Sequence, residues 1–384
     1  MDPHLFQSEA AGRVVRTPEG YDAFVPAPLP PELHYGKDLV LALSRADAAL
    51  SELSIAGEQL PNPALLIAPY LRQEAVLSSR IEGTRTTLSE LLMDEVAAAP
   101  PQRDPADLRE VRNYVDALEY GLARLSDLPL SLRFVRELHD RLMRGVRGAH
   151  VTPGEFRRSQ NWIGPPGSTL TTATYVPPPV DEMTKALGDW ELFLHDRTSL
   201  PDLVQCALMH EQFEAIHPFL DGNGRVGRLL ITLFLTERGR LTQPLLYLSA
   251  YIEAHRSEYY DALLRVRTHG DWQSWLLFFL TGVRETAVRA ASQARELVRI
   301  REEYRLKVAG RPKALALVDE VLRAPYMTVA EAQRLLKVTN PTARAAVQTL
   351  VTVGLLEEVG DRKWRRLYVA RPVLDALQAP MEAL

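Results

Sequence analysis

Apolar residues recur at helical spacing along most of the chain, and this pattern predicts a mostly α-helical fold. The clearest amphipathic pattern covers 104–125, and the next covers 131–146, where Ser131 stands at the position of an N-cap. Another helix is predicted over 64–83, with Gly83 placed to end it. The other predicted helices share the same spacing and cover 39–53, 181–196, 202–216, 224–238, 255–270 and 271–307.

Two segments interrupt the helical pattern. Residues 24–35 are rich in proline and are predicted to form an extended arm that docks on the rest of the chain. Two short apolar pairs, at 162–163 and 175–176, flank a tip rich in glycine, proline, serine and threonine. This arrangement is typical of a β-hairpin with a long loop.

The pattern changes again after 310–313, which we interpret as a domain boundary. Thr328 can cap a helix, with Glu331 three residues further on as in a capping box. Asn340 precedes a proline that suits the start of a second helix. Two strand-like runs follow, joined by a polar turn at 360–361. The order of helix, turn, helix and two-stranded wing resembles a winged helix-turn-helix.

The composition is that of a globular protein with two or three packed units. The chain has 384 residues, of which 46% are hydrophobic and 24% charged, and its net charge is −4. This balance excludes an overall basic field that would recruit nucleic acid or anionic lipid. We find neither a stretch of the roughly 18–20 apolar residues that a membrane span needs nor a signal-peptide pattern. A cytoplasmic protein is therefore expected.

The most informative stretch is HPFLDGNGRVGR at 217–228. The preceding helical pattern ends before Pro218, and the next periodic run begins near Val226. Residues Asp221 to Gly224 are therefore predicted to form a tight turn into the N-terminus of the next helix. Backbone N–H groups converge at such a turn and the helix dipole adds positive potential, which makes a natural anion site. The glycines let the backbone approach the anion closely.

Charged groups around this turn suggest its chemistry. Arg225 and Arg228 are neighbours on one helix face, and guanidinium groups suit phosphate oxygens. Asp221 lies beside an anion site, which indicates Mg²⁺. This ion is commonly bound by carboxylate and phosphate oxygens at the same time. His217 can accept a proton near neutral pH. Together these groups predict phosphoryl or nucleotidyl transfer to a hydroxyl.

Each of these groups taken alone is more often structural. A Gly-Asn-Gly turn, a histidine at a helix end and a pair of arginines are all common without any catalytic role, and only their order within one short stretch favours chemistry. A zinc site of the H-E-x-x-H type is excluded, because Glu214 stands where the second histidine would be.

The stretch HPFLDGNGRVGR matches in full the signature H-P-F-x-[D/E]-G-N-G-R-x-x-R of the Fic family. The resemblance extends to GEFRRSQNWIG, YVPPP and HRSEYYDALLRVRTHGDWQSWLLFFL, and it covers about 20–285. The chain looks like bacterial Fic proteins with a C-terminal winged helix. Such relatives transfer AMP from ATP to a Ser, Thr or Tyr hydroxyl of a protein and release pyrophosphate. The resemblance therefore implies a helical bundle with a β-hairpin flap, ATP as substrate and Mg²⁺ as cofactor.

The resemblance also implies a role for each motif residue. His217 would be the general base, Asp221 would bind Mg²⁺, and Arg228 would reach the γ-phosphate. Glycine at 224 favours AMP transfer, because Fic-fold kinases have lysine there. The residues expected to bind the nucleotide are Gly222, Asn223, Gly224, Arg225, Arg228, Tyr259 and Tyr260. For the two tyrosines, packing in the core is the alternative interpretation.

The hairpin looks like the family's flap, which pairs with the target segment by strand addition. The flap residues expected to contact the target are Trp162, Ile163, Gly164, Tyr175 and Val176.

A second stretch, SSRIEG at 78–83, matches the inhibitory motif [S/T]-x-x-x-E-[G/N] of the family. Ser78 and Glu82 are four apart, hence on one helix face, and Gly83 completes the motif. The resemblance implies that Glu82 forms a salt bridge with Arg228, which is then not available to the γ-phosphate. The alternative is a surface glutamate that ends a helix. In some relatives this glutamate orients a water that removes AMP, so a hydrolase is a further alternative.

We expect three parts: an arm and helical region with the inhibitory motif (1–103), a catalytic core with trailing helices (104–309) and the winged helix-turn-helix (310–384). Over 326–371 basic residues outnumber acidic ones, so the last part could contact DNA. A protein-interaction or dimerisation module is the alternative. The predicted function is a self-inhibited protein adenylyltransferase, with itself as one possible target. A related nucleotidyl transferase or an AMP-removing enzyme, and a ligand-sensing DNA-binding regulator, are the other hypotheses.

Overall fold

The computed structural model describes residues 1–58, 63–96, 105–146, 152–360 and 366–379. Within these ranges the chain forms 15 α-helices and two small antiparallel sheets, so the prediction of a mostly helical fold is confirmed. The first sheet and the first eleven helices are β1 (Gly12–Arg16), β2 (Asp22–Pro26), α1 (Lys37–Glu58), α2 (Ala64–Ile81), α3 (Leu88–Glu95), α4 (Pro105–Arg124), α5 (Leu132–Leu142), α6 (Val180–Leu194), α7 (Asp202–Ile216), α8 (Asn223–Glu237), α9 (Ser249–Ala254), α10 (Arg256–His269) and α11 (Trp272–Lys307).

Helices α7 and α8 lie at the centre of the core. Every side chain of α7 from 203 to 216 is buried, and so are most of those of α8. Helices α6 and α11 and strand β2 pack around α7, while α4 and α5 pack against α8. On a helix buried on all sides, a polar residue is costly unless a partner satisfies it. The core therefore fixes the turn that joins α7 to α8, which carries the motif at 217–228.

The N-terminal arm contains more regular structure than the sequence predicts. Strands β1 and β2 pair as an antiparallel ribbon from Gly12 opposite Pro26 to Arg16 opposite Asp22. The ribbon docks on the flap, where the Phe24 amide donates to the carbonyl of Val176 at 2.9 Å.

The flap itself is paired less extensively than expected. One bridge joins Ile163 to Tyr175, with N–H···O distances of 2.8 and 3.0 Å. Prolines at 165, 166 and 177–179 have no N–H to donate, which removes ladder hydrogen bonds on both sides of this bridge. The predicted hairpin is therefore a long loop closed by a single bridge.

The C-terminal unit consists of α12 (Pro312–Arg323), β3 (Tyr326–Thr328), α13 (Val329–Leu336), α14 (Asn340–Thr352), β4 (Glu357–Val359), β5 (Leu367–Val369) and α15 (Arg371–Gln378). Its sheet has the antiparallel order β3-β5-β4. Thr328 caps α13 as predicted, because its hydroxyl accepts from the Glu331 amide at 3.1 Å. Most of the predicted wing, 361–365, lies outside the described residues, and the name winged helix-turn-helix stays a prediction.

The C-terminal unit packs directly on α2 and α11. Helix α12 lies against α2, and the side chain of Gln73 in α2 donates to the carbonyl of Leu377 at 3.0 Å. From α11, Gln293 donates to the carbonyls of Ala376 and Leu377 at 3.1 Å each. The unit thus shares the main hydrophobic core. The three-part division stays a prediction, and its boundary at 103–104 lies outside the described residues.

Within the described residues, no helix is both long and apolar enough to cross a membrane.

Replacing Leu377 by alanine should lower the free energy of unfolding by about 2–5 kcal/mol, because Leu377 is fully buried in the contact of α15 with the core. Asp375 lies exposed on the same helix. The matched Asp375→Ala variant should change stability by less than about 0.5 kcal/mol. Urea unfolding followed by circular dichroism measures both. Equal losses in the two variants would show that α15 is not docked as described.

Candidate functional site

His217 ends α7 in an unusual backbone conformation. Its φ is 48° and its ψ is 61°, in the left-handed region that residues other than glycine seldom occupy. Arg157 Nε and Asn161 Nδ2 both donate to the His217 carbonyl, at 3.0 and 3.2 Å. Arg157 is 1% exposed, so this support is internal. The surroundings therefore hold a strained residue in place, as is common at functional sites.

Two further side chains close the turn after His217. The Asn223 amide accepts from the Phe219 N–H and donates to the Phe219 carbonyl, both at 2.8 Å. His139 in α5 lies 3.0 Å from the Asp221 carbonyl through Nε2, and its ring stacks on Phe219. Because Nδ1 of His139 accepts from the Gly154 N–H at 2.9 Å, the proton of the neutral ring lies on Nε2 and is donated to Asp221.

The α8 N-terminus has the geometry of an anion site. Gly222 is its N-cap with a φ of 80°, and no side chain caps the helix. The first N–H groups of a helix have no partner within it and are available to an anion. Gly224 leaves no room for a side chain, because a Cβ there would collide with the Glu82 carboxylate. Gly222, Asn223 and Gly224 thus lie together at the start of α8, and the side chain of Asn223 is used within the loop. Their role as an anion cradle stays a prediction.

The two motif arginines are buried and paired. Arg225, 3% exposed, donates to Glu110 at 2.9 Å and lies 3.5 Å from Asp221. Arg228, 2% exposed, donates through Nε to the Ser78 hydroxyl at 2.8 Å and through Nη2 to the Ser78 carbonyl at 3.0 Å.

The same Nη2 of Arg228 donates to Glu82 Oε1 at 2.6 Å. The predicted contact between 78–83 and Arg228 is therefore present in the structure. Burial alone would raise the pKa of Glu82, but the charge of Arg228, its hydrogen bond and the charge of Arg225 together outweigh burial and lower that pKa. Burial would likewise lower the pKa of Arg228, and Glu82 raises it. Both groups are therefore charged, and they form an ion pair in which the Arg228 side chain is 2% exposed and the Glu82 side chain 34% exposed.

The imidazole of His217 is neutral. Burial, followed by the charges of Arg267 and Arg157, lowers the pKa of His217 to about 3. Its Nδ1 lies 3.3 Å from the carbonyl of Glu214, which places the proton there and the lone pair on Nε2. A ring with a free Nε2 is suited to accept a proton from a hydroxyl.

The two tyrosines predicted near the adenine have different surroundings. Tyr259 is 1% exposed and its hydroxyl lies 2.9 Å from Nε2 of His210, so its position agrees with core packing. Tyr260 is 42% exposed. Contact with a nucleotide stays a prediction for both, and exposure favours Tyr260.

The flap residues also divide into two groups. Tyr175 and Val176 are buried, and the Tyr175 hydroxyl donates to the carbonyl of Ala215 at 2.7 Å. These two residues anchor the flap. Trp162 is 44% exposed, Gly164 is exposed, and the backbone of Ile163 forms the single bridge. Contact with a target stays a prediction for this group.

Comparison with known proteins identifies the family. The model of the Fic/DOC family N-terminal region matches residues 40–123, and that of the Fic/DOC family matches residues 129–235. The chain belongs to the Fic family. The match to the second model spans α5 to α8 and includes the complete turn at 217–228.

Similar proteins agree with this membership. Protein adenylyltransferase Fic of Drosophila grimshawi is 30% identical over 206 residues, which are 52% of this chain and 38% of that protein. The protein of the same name from Aedes aegypti is 31% identical over 155 residues, which are 39% of this chain and 27% of that protein. The chain thus spans less than half the length of these relatives.

Two solved structures share the fold. A Fic family protein from Desulfovibrio desulfuricans G20 superimposes with a TM-score of 0.58 at 20% identity, over 89% of this chain and 98% of that one. A Fic domain containing signaling protein from Bacteroides thetaiotaomicron VPI-5482 gives a TM-score of 0.50 at 18% identity, over 67% and 95% of the two chains.

The donor set of this Fic site suits a metal that arrives with phosphates. Asp221 is 53% exposed, and its Oδ1 accepts from the Gly222 N–H at 2.6 Å. The described residues contain no cluster of three or more His, Cys, Asp or Glu side chains that could hold a metal. One exposed carboxylate fits Mg²⁺ that is shared with a nucleotide, since this ion is commonly held by one or two carboxylates and substrate phosphates.

Sequence reasoning missed several residues of the Fic site. Arg157 and Asn161 lie in the quoted stretch GEFRRSQNWIG, so the resemblance contained a signal for them. His139 and Glu110 carry no local signal, because each acts through a contact with a distant part of the chain.

The imidazole of His217 should stay neutral between pH 8 and 5, because a lowered pKa means that the ring gains its proton only below that range. The same holds for His139 and His210, since burial lowers their pKa values to about 4 and about 3. ¹⁵N NMR of histidine-labelled protein measures the protonation state of each ring, with His217→Ala assigning the key signals. A titration midpoint near pH 6.5 for His217 would show a solvated ring instead.

Proposed function

We propose that the chain is a self-inhibited protein adenylyltransferase that transfers AMP from ATP to a Ser, Thr or Tyr hydroxyl of a protein. The observation that carries the proposal is the assembled turn between α7 and α8, with His217 beside an anion site and Arg228 held by Ser78 and Glu82. The names of the matched relatives support the same activity.

In the proposed reaction, Nε2 of His217 takes the proton of the target hydroxyl. The hydroxyl oxygen then bonds to the α-phosphorus, and the bond from that phosphorus to the leaving pyrophosphate breaks. The α8 N–H groups and Arg225 would stabilise the negative charge of the phosphates. Mg²⁺, held by Asp221, would neutralise the phosphate charge when the nucleotide is bound.

The inhibition follows from competition for Arg228. One guanidinium cannot serve both a carboxylate and the γ-phosphate fully, and Glu82 already occupies Nη2 at 2.6 Å. Because Arg228 is 2% exposed, removal of its partner without replacement would leave a desolvated charge. ATP must therefore displace Glu82 to reach its productive position.

For the C-terminal unit we propose protein interaction rather than DNA reading. Arg366 is paired with Glu358 at 3.0 Å and Arg371 with Glu357 at 2.8 Å, which reduces the positive charge that phosphates would meet. On α14, Arg344 is exposed, but the face around it is mostly uncharged. A homodimer and a cytoplasmic location stay predictions.

Glu82→Gly should accept one or more AMP units on incubation with ATP, because Arg228 is released and proteins of this type can modify themselves. Intact mass spectrometry measures the gain. The double variant Glu82→Gly/His217→Ala should gain none, and omission of Mg²⁺ should prevent the gain. Glu82→Gln is the matched control, since it removes the charge and keeps the shape.

A gain of phosphate instead of AMP in Glu82→Gly would contradict AMP transfer and indicate an inverted nucleotide. If Glu82→Gly binds ATP but transfers AMP no faster than the unaltered chain does, the inhibitory role of Glu82 is contradicted. Release of AMP from a modified protein, lost in a glutamate variant, would support the hydrolase alternative.

The C-terminal unit should not bind duplex DNA appreciably at physiological salt, because Arg366 and Arg371, among its described arginines, are paired with glutamates. Fluorescence anisotropy of a labelled duplex over a range of salt concentrations measures this. Micromolar or tighter binding that weakens steeply with salt would overturn the assignment and favour the DNA-binding alternative.

A further inference from the structure

One turn before His217, the carboxylate of Glu214 lies in the interior. Glu214 is 7% exposed, and its Oε2 lies 4.0 Å from Nδ1 of His217. Its Oε1 is buried with no hydrogen-bond partner. A buried carboxylate without a full set of partners is costly, so its presence calls for a physical reason.

The neighbouring charges show why Glu214 is available to His217. Arg267 in α10 is bound by Glu211 at 3.0 Å, and Arg228 in α8 is bound by Glu82 at 2.6 Å. These two arginines therefore each have a carboxylate partner, and Glu214 is a third carboxylate in the same interior region.

His217 needs such a carboxylate at the moment of reaction. When Nε2 takes a proton, the ring becomes a cation in an environment where burial, Arg267 and Arg157 all disfavour positive charge. The ring cannot stabilise that charge by solvation, and an adjacent carboxylate is the usual means of doing so.

We propose that Glu214 is a positioning residue whose carboxylate faces the Nδ1 side of His217 and balances the charge of the imidazolium during AMP transfer. The proposal rests on the function proposed above. The proton moves from the target hydroxyl to Nε2 of His217. The proton on Nδ1 stays on the ring, facing the main-chain carbonyl of Glu214 at 3.3 Å, and the carboxylate acts electrostatically from 4.0 Å. No other group changes its bonding at this end of the site.

The residue opposite the carboxylate agrees with this role. Gly227 in α8 packs against Glu214, and a Cβ added there would lie 2.6 Å from Oε1. Glycine at 227 therefore leaves the space that the carboxyl group occupies. Burial raises the pKa of Glu214 to about 7, so near neutral pH a substantial fraction of the molecules carries the carboxylate.

The kinetic test uses Glu214→Gln in the Glu82→Gly background. We expect kcat to fall by about 10- to 100-fold with KM for ATP within about twofold of the parent, because the interaction acts on the transition state and not on nucleotide binding. A rise in KM with unchanged kcat, or a kcat equal to that of the parent, would overturn the proposal.

Gly227→Ala provides a second variant in which the charge is kept but the carboxyl group is displaced. It should lower kcat in the same direction as Glu214→Gln, and adding Glu214→Gln to it should lower kcat by less than in the parent. Full multiplicative losses would contradict a role through the position of the carboxylate.

A spectroscopic test separates this proposal from the proposed function. The ¹⁵N and ¹H resonances of His217 Nδ1–H should shift on Glu214→Gln in protein without nucleotide, because a charged group next to the N–H has been removed. An unchanged resonance overturns the proposal whether or not AMP is transferred. A shifted resonance in a protein that transfers no AMP would support the contact and reject the proposed function.

Discussion

The bonding of the Arg228 guanidinium connects the parts of this structure. Its Nε and Nη2 groups bind Ser78 and Glu82, which belong to α2 and its C-terminal cap, while its backbone belongs to the central helix α8. The two sequences are 150 positions apart at the Ser78 contact. Because the guanidinium is desolvated, it needs an anionic partner at all times. This requirement links the placement of α2 to the state of the anion site.

The interior of the site is organised around paired charges. Glu82 and Glu211 each bind one buried arginine, and Glu214 faces the neutral ring of His217. Such an arrangement is costly to build, because the buried charges among these groups lose their water. Buried charges are useful to a reaction because the effective dielectric around them is low. A fixed charge there acts on a reacting group more strongly than it would in solvent.

Helix α2 also connects the site to the C-terminal unit. Its side chain Gln73 binds the carbonyl of Leu377, and α12 packs along it. The helix that supplies Ser78 and Glu82 is therefore held on one side by α8 and on another by elements that follow residue 311. Displacement of α2 has to disturb both contacts, since close-packed interiors do not deform locally without cost.

The sequence by itself determined the helical fold class, the position of most long helices and the turn at 217–228. These features depend on local spacing, which the chain carries within each segment. The pairing of Glu82 with Arg228 was also accessible, through the two matched motifs. The β1–β2 ribbon and the short pairing of the flap were not, because strand pairing depends on which segment lies alongside.

Only the tertiary structure decided which side chains support the site. Arg157 and Asn161 at the carbonyl of His217, and His139 at that of Asp221, act from separate segments that packing brings together. Glu214 lies near His217 in sequence, but its position next to Gly227 depends on the pairing of α7 with α8. Local pattern specifies the element on which a residue lies, whereas burial and charge depend on every element that surrounds it.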